Sequence, residues 1–242
     1  MIAGRYYEGK ESSARSKASR QKEGTVTTQQ AKALLAAVIA ARATSFMFSK
    51  ILVGTMAPFN ILAVRFLLAA LLLAAIFQRR LRHLSWRTAG RGAAIGTAFF
   101  ATMALEMLAL TGASSSTVSF LENTAIVFVP VAMALMGRRL PPRSSGIACA
   151  VALAGVGLLT LGSSAGSDSP AGALLGLGSG LAYTVAIIVT ARLSREDDAL
   201  LLGLVQVAVM GLLSLGATFV FEEPALPSSG AEWEALAVLV VV

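Results

Sequence analysis

The chain has 242 residues, of which 56% are hydrophobic and 14% are charged, and its formal net charge is +7. These proportions exclude an ordinary soluble domain, and basic residues scattered in short clusters between apolar runs exclude a nucleic-acid-binding surface. One cysteine, Cys149, and one histidine, His83, leave no intramolecular disulfide, no transition-metal site of these ligands and no cofactor to predict.

The first thirty residues are polar and rich in Ser, Lys, Arg and Gln. They lack the apolar stretch of a cleavable signal peptide, so the sequence predicts a disordered basic tail over residues 1–30. Gly4, Gly9 and Lys10 have the spacing of a phosphate-binding loop. Glu11 stands where that motif needs Ser or Thr, so no nucleotide site is predicted there.

Apolar runs follow the tail, each close to the roughly twenty residues that cross a bilayer as a helix. They predict an all-α, polytopic transmembrane helix bundle. The seven predicted spans are residues 32–53, 58–77, 91–111, 116–136, 145–162, 171–192 and 199–220. Pro130 is expected to interrupt the fourth span. An eighth run begins near Glu234 and reaches Val242, which predicts a C-terminally incomplete chain of about 7.5 helices.

The loops between these spans differ in charge. Those at 54–57, 112–115, 163–170 and 221–231 contain no Lys or Arg. Of the 20 basic residues, 17 fall on the other side: seven in the tail through Lys32, five from Arg79 to Arg91, three from Arg138 to Arg143, and the pair Arg192 and Arg195. The positive-inside rule then predicts a multi-pass protein of the cytoplasmic (inner) membrane with a cytoplasmic N-terminus.

Small residues recur every fourth position in two spans. Gly172, Gly176 and Gly180 form one such face, and Gly146, Ala150 and Ala154 form another. In lipid these faces let helix backbones approach closely. The sequence leaves two interpretations open, packing within the chain and the seam of a homodimer.

A faint internal repeat links the two halves. Residues 31–35 resemble residues 171–175, and at an offset of 141 Arg65 falls on Gln206. A first unit of five spans starts on the cytoplasmic side, so its copy starts on the opposite side. An odd-numbered repeat is therefore inverted, as in many secondary transporters.

The segment from Glu106 to Pro130 carries the most specific pattern: an apolar helix, a Ser/Thr/Ala turn, a Ser-Phe-Leu helix start and an interior proline. It resembles the third and fourth helices of EamA-type carriers in the drug/metabolite transporter superfamily. Pro58, Arg65-Phe66 and Gly155–Leu159 resemble parts of the family's second and fifth helices. The resemblance implies two inverted five-helix repeats, the first at 31–162 and a partial second at 171–242.

Five charged residues lie at membrane depth: Arg42, Lys50, Arg65, Glu106 and Glu122. Each costs about 2.5–3.5 kcal/mol at the centre of a bilayer, so they must pair with one another or line a wet cavity. Lys50 has a further option, because its long side chain can extend to the outer surface.

Helical spacing places Arg42, Ser45 and Ser49 on one stripe, and Ser119, Glu122 and Asn123 on another. Such stripes are typical of a solute path and equally of a structural hydrogen-bond seam. The predicted solute-binding residues are Arg42, Arg65, Glu106, Glu122, Asn123 and Tyr183, with core packing as the alternative for Tyr183. The specific hypothesis is that Glu106 and Glu122 face Arg42 and Arg65.

These features predict a secondary active transporter, an exporter or exchanger, for a small polar or amphipathic metabolite such as an amino acid or a drug-like cation. Its partners would be that small-molecule solute and the lipid bilayer. The alternative is a non-transporting membrane protein, either an assembly subunit or an inactive truncated fragment. The spans contain no nucleophile–base pair typical of a membrane enzyme, so no catalytic residue is predicted.

Overall fold

The computed structural model describes residues 28–137, 146–147, 150–151, 154, 168–194 and 197–241. Contacts divide the chain into one unit that ends at Ala43 and a second that begins at Thr44. The described residues of the first unit, 28–43, are helical. Every contact discussed below lies within the second unit.

The described residues contain helices and no strands. The helices are α1 (Thr28–Val53), α2 (Pro58–Ile76), α3 (Gln78–Leu81), α4 (Trp86–Gly112), α5 (Ser115–Asn123), α6 (Ala125–Gly137), α7 (Pro170–Leu193), α8 (Ala199–Phe221) and α9 (Gly230–Val241). The predicted all-α, polytopic bundle is confirmed.

Within the described part of the chain, five helices are long and apolar enough to cross a membrane. They are α2, α4, the stretch Ser115–Gly137 made of α5 and α6, α7 and α8, and they confirm five predicted spans. Helix α1 begins at Thr28, so the last three residues of the predicted disordered tail are helical. The predicted span 145–162 and the rest of the tail, 1–27, lie almost wholly outside the described residues.

Local sequence explains where the helices begin. Proline occupies the first turn of α2 and α7, where its missing N–H costs no hydrogen bond. Helices α4, α5, α7 and α8 start after side-chain caps supplied by Ser85, Ser114, Ser169 and Asp198. Before α9, the Ser229 hydroxyl accepts from the Glu232 amide while the Glu232 carboxylate accepts from the Ser229 amide, a capping box.

Helix α4 is central in the packing. It contacts α7 on one side and α8 on the other; α8 also packs on α2, α2 on α9, and α7 on α5 and α6. The main apolar core includes Met107 and Leu110 of α4, Ile61 and Leu62 of α2, and Leu236 of α9, all almost completely buried. At both ends of the bundle, acidic side chains in the loops accept hydrogen bonds from groups at the starts of neighbouring helices.

Glycines allow the closest approaches. A Cβ atom placed on Gly180 would lie 2.6 Å from the carbonyl oxygen of Leu121, and one on Gly172 would lie 2.7 Å from the Gly112 carbonyl carbon. The Gly172–Gly180 face of α7 is therefore occupied by α4 and α5 of the same chain. A homodimer remains a prediction, and this face already has its partner within the chain.

The fourth span is interrupted at Thr124, whereas Pro130 lies inside α6, so the expected position of the break is wrong. The Thr124 amide donates to the Leu121 carbonyl, only three residues back, and the Val127 amide donates in the same way to Thr124. These two tight bonds form a 3₁₀ turn. The break therefore falls beside Glu122 and Asn123, six residues before the proline.

Candidate functional site

Two carboxylates are buried within the apolar spans. Glu106 on α4 is 6% exposed and Glu122 on α5 is 2% exposed. Few acidic side chains are this buried in any protein, and inside a membrane such residues are concentrated at ion and solute pathways. These two were predicted as site residues from sequence, and they are the centre of the candidate site.

Packing on α7 holds Glu122 in place. Its Cα lies 3.3 Å from the position that a Cβ on Gly180 would occupy, so the two backbones are nearly in contact. One turn earlier in α5, Val118 is fully buried and lies against Gly176 of α7. Because α5 contacts α7 through its Val118–Glu122 face, the carboxylate is held on the inside of the bundle and away from lipid.

Glu106 lies on the packed side of α4. The core residues Met103, Met107 and Leu110 stand three positions before it, one after and four after. Since side chains three and four apart share a helix face, Glu106 lies among them at the level where α4 meets its neighbours. The two buried acids therefore belong to two helices, both of which pack on α7.

Asn123 and Tyr183 have local contacts. The side-chain amide of Asn123 donates to the Ser119 carbonyl oxygen at 2.7 Å, so its N–H group serves the preceding turn of its own helix. The ring of Tyr183 on α7 meets Phe99 of α4 edge to face, with centroids 6.1 Å apart. Both residues are half-buried, and solute binding by either stays a prediction.

Arg65 lies on α2, beside an apolar cavity. Its guanidinium carbon is 5.2 Å from the ring centre of Phe66, and the residue lines a 430 Å³ cavity formed by α2, α8 and α9. The described lining of that cavity is otherwise apolar and comprises Phe66, Ala69, Leu72, Leu73, Val207, Leu239 and Val240. The predicted pairing of Glu106 and Glu122 with Arg65 and Arg42 stays a prediction, and the Arg42 side chain lies outside the described part.

Lys50 closes the C-terminal end of α4. Its ammonium donates to the carbonyl oxygens of Leu110 at 2.5 Å and Ala113 at 2.8 Å. These carbonyls have no partner within their own helix, and a cation at a helix C-terminus also interacts favourably with the helix dipole. Lys50 therefore holds α1 to α4, a role that sequence reasoning did not assign to it.

Asp168, in the loop before α7, joins the beginnings of two spans. Its carboxylate accepts from the Ser114 amide at 2.7 Å and from the hydroxyls of Ser114 and Thr117 at the start of α5. The hydrogen bond from Thr117, the bonds from Ser114 and the charge of Lys50 together hold the pKa of Asp168 below its usual value. Next to it, the Ser169 amide donates to the Gly112 carbonyl at 2.8 Å.

Glu222, directly after α8, caps the N-terminus of α2. Its two carboxylate oxygens accept from the backbone amides of Phe59 at 2.9 Å and Asn60 at 3.0 Å. The Asn60 side chain is buried, donates to the Glu223 carbonyl at 2.9 Å and accepts from the Ala225 amide at 2.9 Å. The sequence offered one signal for this cap. Glu222 is an acid in a loop that contains no basic residue, and the helix it caps starts with Pro58.

Asp197 forms the corresponding contact at the other end of the bundle. It accepts from the Arg91 guanidinium at 2.6 Å and from the Thr88 hydroxyl at 2.9 Å, and its neighbour Asp198 meets Arg80 at 3.1 Å. The hydrogen bonds from Arg91 and then Thr88 lower the pKa of Asp197. Glu222 thus ties the end of α8 to the start of α2, and Asp198 ties the start of α8 to Arg80 of α3, just after α2.

The arrangement provides protonatable oxygens at membrane depth and a cation beside an apolar cavity. Among the described residues, no group of three His, Cys, Asp or Glu side chains is placed to hold a metal ion. Two acids on neighbouring helices are suited to accepting a proton or binding a cationic group. Arg65 is suited to binding a carboxylate or phosphate.

Residues 31–161 match the EamA-like transporter family, a match that covers more than half of the chain. No curated protein matches the sequence. One solved protein crystal structure is similar with a TM-score of 0.58 and 22% sequence identity, over 82% of this chain and 71% of its own. At that identity the likeness concerns the fold alone.

Proposed function

Since this chain belongs to the EamA-like transporter family and so is a multi-pass membrane transporter, we propose that it moves a small polar or amphipathic metabolite by alternating access. We place it in the cytoplasmic membrane with its N-terminus in the cytoplasm, as an exporter or exchanger. The candidate solutes are amino acids and drug-like cations.

The burial of Glu106 and Glu122 is the observation that carries the proposal. Acidic side chains within membrane spans are rare because each costs roughly 3 kcal/mol on insertion scales, and those that occur are concentrated at ion and solute pathways. A transporter that binds and releases a proton or a cationic group there gains function from them. Glu122 packs against α7 at Gly180, where a movement of that helix would change its exposure.

The other candidate residues extend the site in two directions. Arg65 would bind an anionic group of the solute beside the apolar cavity of α2, α8 and α9. Tyr183 would stack against an aromatic or apolar solute, and Asn123 would supply its amide oxygen. The amide N–H of Asn123 is committed to Ser119.

The test is transport in proteoliposomes that contain the purified protein. Solutes are first ranked by the thermal stabilisation that amino acids and small organic cations produce, and the strongest is then followed as a radiolabel. With Glu106→Gln and Glu122→Gln combined, we expect uptake to fall at least about tenfold, as when a buried charged partner is lost. An imposed pH gradient should accelerate uptake by the wild type and leave the double variant unaffected.

Glu223→Gln is the matched control, because that side chain is an exposed acid in a loop. It removes one negative charge and should leave the rate unchanged. If the double variant transports at the wild-type rate, the site assignment is wrong. A protein that transports none of the solutes that stabilise it would count against the transporter proposal itself.

A further inference from the structure

A basic segment connects α2 to α4. Residues 77–87 contain Arg79, Arg80, Arg82, His83 and Arg87 and no acidic residue. Exposure is high along it: the arginines and the histidine are all exposed. The segment follows directly after the apolar span α2, so it lies where the hydrocarbon of the bilayer gives way to the headgroups.

Trp86 lies directly before Arg87 and three residues after His83, and it is 91% exposed. A tryptophan this exposed to water leaves most of its large apolar ring without contacts. At the membrane interface the same ring lies among headgroups and upper acyl chains, which is the environment that tryptophan prefers. Contact with lipid therefore accounts for the exposed ring, whereas exposure of the same ring to water would cost free energy.

The segment is held in place by its other residues. Arg80 contacts Asp198, and just beyond the segment Thr88 and Arg91 contact Asp197. Ser85 caps α4 by accepting from the Arg87 amide at 3.3 Å. These contacts fix the backbone while the side chains of Arg79, Arg82 and Arg87 point away from the bundle, exposed together with Trp86.

We propose that residues 77–87 form a docking surface for the headgroups of anionic phospholipids. Arginine donors in a planar fork match the oxygens of a phosphate. Three exposed arginines near the surface of a membrane attract anionic lipid, and Trp86 inserts beside the bound headgroup. The exposed Leu72 and Ile76 of α2 lie next to the segment and provide a surface for the acyl chains. The proposal is independent of the solute and of transport.

Tryptophan fluorescence tests this directly, because the chain has only Trp86 and Trp233. Trp233→Phe makes Trp86 the sole reporter in the whole chain. The protein is reconstituted in vesicles of phosphatidylcholine and phosphatidylglycerol in which one or the other lipid carries dibrominated acyl chains. At equal mole fraction, we expect brominated phosphatidylglycerol to quench Trp86 more strongly than brominated phosphatidylcholine.

Substitutions of the three exposed arginines distinguish an effect of charge from an effect on folding. Arg79→Gln, Arg82→Gln and Arg87→Gln, made singly, should each weaken the lipid preference roughly fivefold, and combined they should abolish it. The triple lysine variant at the same positions keeps the charge without the planar fork, and should keep the part of the preference that charge supplies. Arg192→Gln, which removes an exposed arginine at the end of α7 on the same side of the bundle, should have no effect.

Equal quenching by the two brominated lipids in the Trp233→Phe protein would overturn the proposal. So would a preference that survives in the triple glutamine variant, or one that disappears equally in the triple lysine variant. Loss of the preference in the presence of millimolar inorganic phosphate at constant ionic strength would assign the segment to soluble anions instead of lipid.

Discussion

Single acidic side chains at loop positions fasten the helix ends of this protein. Asp168, Asp197 and Glu222 each reach from one loop to the start of a helix remote in sequence. Asp168 and Glu222 accept from backbone amides at a helix N-terminus, whereas Asp197 accepts from the Thr88 hydroxyl and the Arg91 guanidinium. Hydrogen bonds to an ionised carboxylate are stronger than neutral ones. Each contact is partly buried, which strengthens the hydrogen bonds, so we expect these residues to contribute to the free energy of unfolding.

Glu222→Ala removes the cap on α2 and leaves the buried Asn60 without one of its acceptors. We expect a loss of about 2 kcal/mol and a fall in Tm of roughly 4–8 °C in detergent. The neighbouring Glu223→Ala is the control, since its side chain is exposed and only its backbone carbonyl is used. Equal Tm values for the two variants would show that the cap contributes nothing.

Asp197 predicts a pH dependence. Its pKa is lowered by Arg91 and Thr88, so its contribution to stability is complete above the ordinary aspartate pKa of about 4 and is lost as the pH falls through the lower folded value. The Tm difference between wild type and Asp197→Asn should be constant from pH 7 to pH 5 and shrink as the pH falls below about 4. Thermal unfolding from pH 7 to pH 3 measures it, and a difference that stays constant to pH 3 would contradict the assignment.

At the scale of elements, small residues determine which helices approach closely. Gly180→Ala places a methyl group 2.6 Å from the Leu121 carbonyl, a backbone atom that cannot move without shifting α5 and with it Glu122. We expect overpacking to cost about 1–3 kcal/mol. The same variant should lower transport, because the neighbouring carboxylate moves.

Gly178→Ala is the matched control for that variant. It lies two residues earlier in α7, and its added methyl group would lie 3.7 Å from the Leu105 side chain, an ordinary contact. Alanine also favours a helix over glycine by up to about 1 kcal/mol, so this variant should be neutral or slightly more stable. The measurement is the Tm of the two variants in detergent. A Gly180→Ala protein as stable as Gly178→Ala would show that α5 and α7 pack loosely.

The organisation of the whole molecule predicts that its two ends face opposite sides of the membrane. With Cys149→Ser as background, Arg82→Cys and Glu223→Cys place one thiol at each end, both at exposed positions. In intact cells an impermeant maleimide should label position 223, and it should label position 82 only after lysis. Labelling of both from the same side would exclude the proposed topology.

At this scale the apolar runs identified five membrane spans correctly, because hydrocarbon length and backbone hydrogen bonding leave a helix few alternatives. Ends were less well predicted. Helix α4 begins at Trp86, five residues before the predicted start at Arg91, because Ser85 caps it. A helix can also continue beyond the hydrocarbon, since water and headgroups there bond to its polar groups. The break at Thr124 also escaped prediction, since the proline suggested a site six residues later.

Sequence alone determined that this is a bundle of membrane helices with charges segregated between its ends, because composition and hydrophobic length are properties of the chain itself. It also identified Glu106 and Glu122 as unusual, since a carboxylate in an apolar span is costly wherever it faces. Only the tertiary structure decided that Lys50 caps α4, that Glu222 caps α2 and that Arg65 lines a cavity of α2, α8 and α9. Those contacts join residues 60 to 163 positions apart or depend on which helices pack together, and helix periodicity carries no information about a partner on another helix.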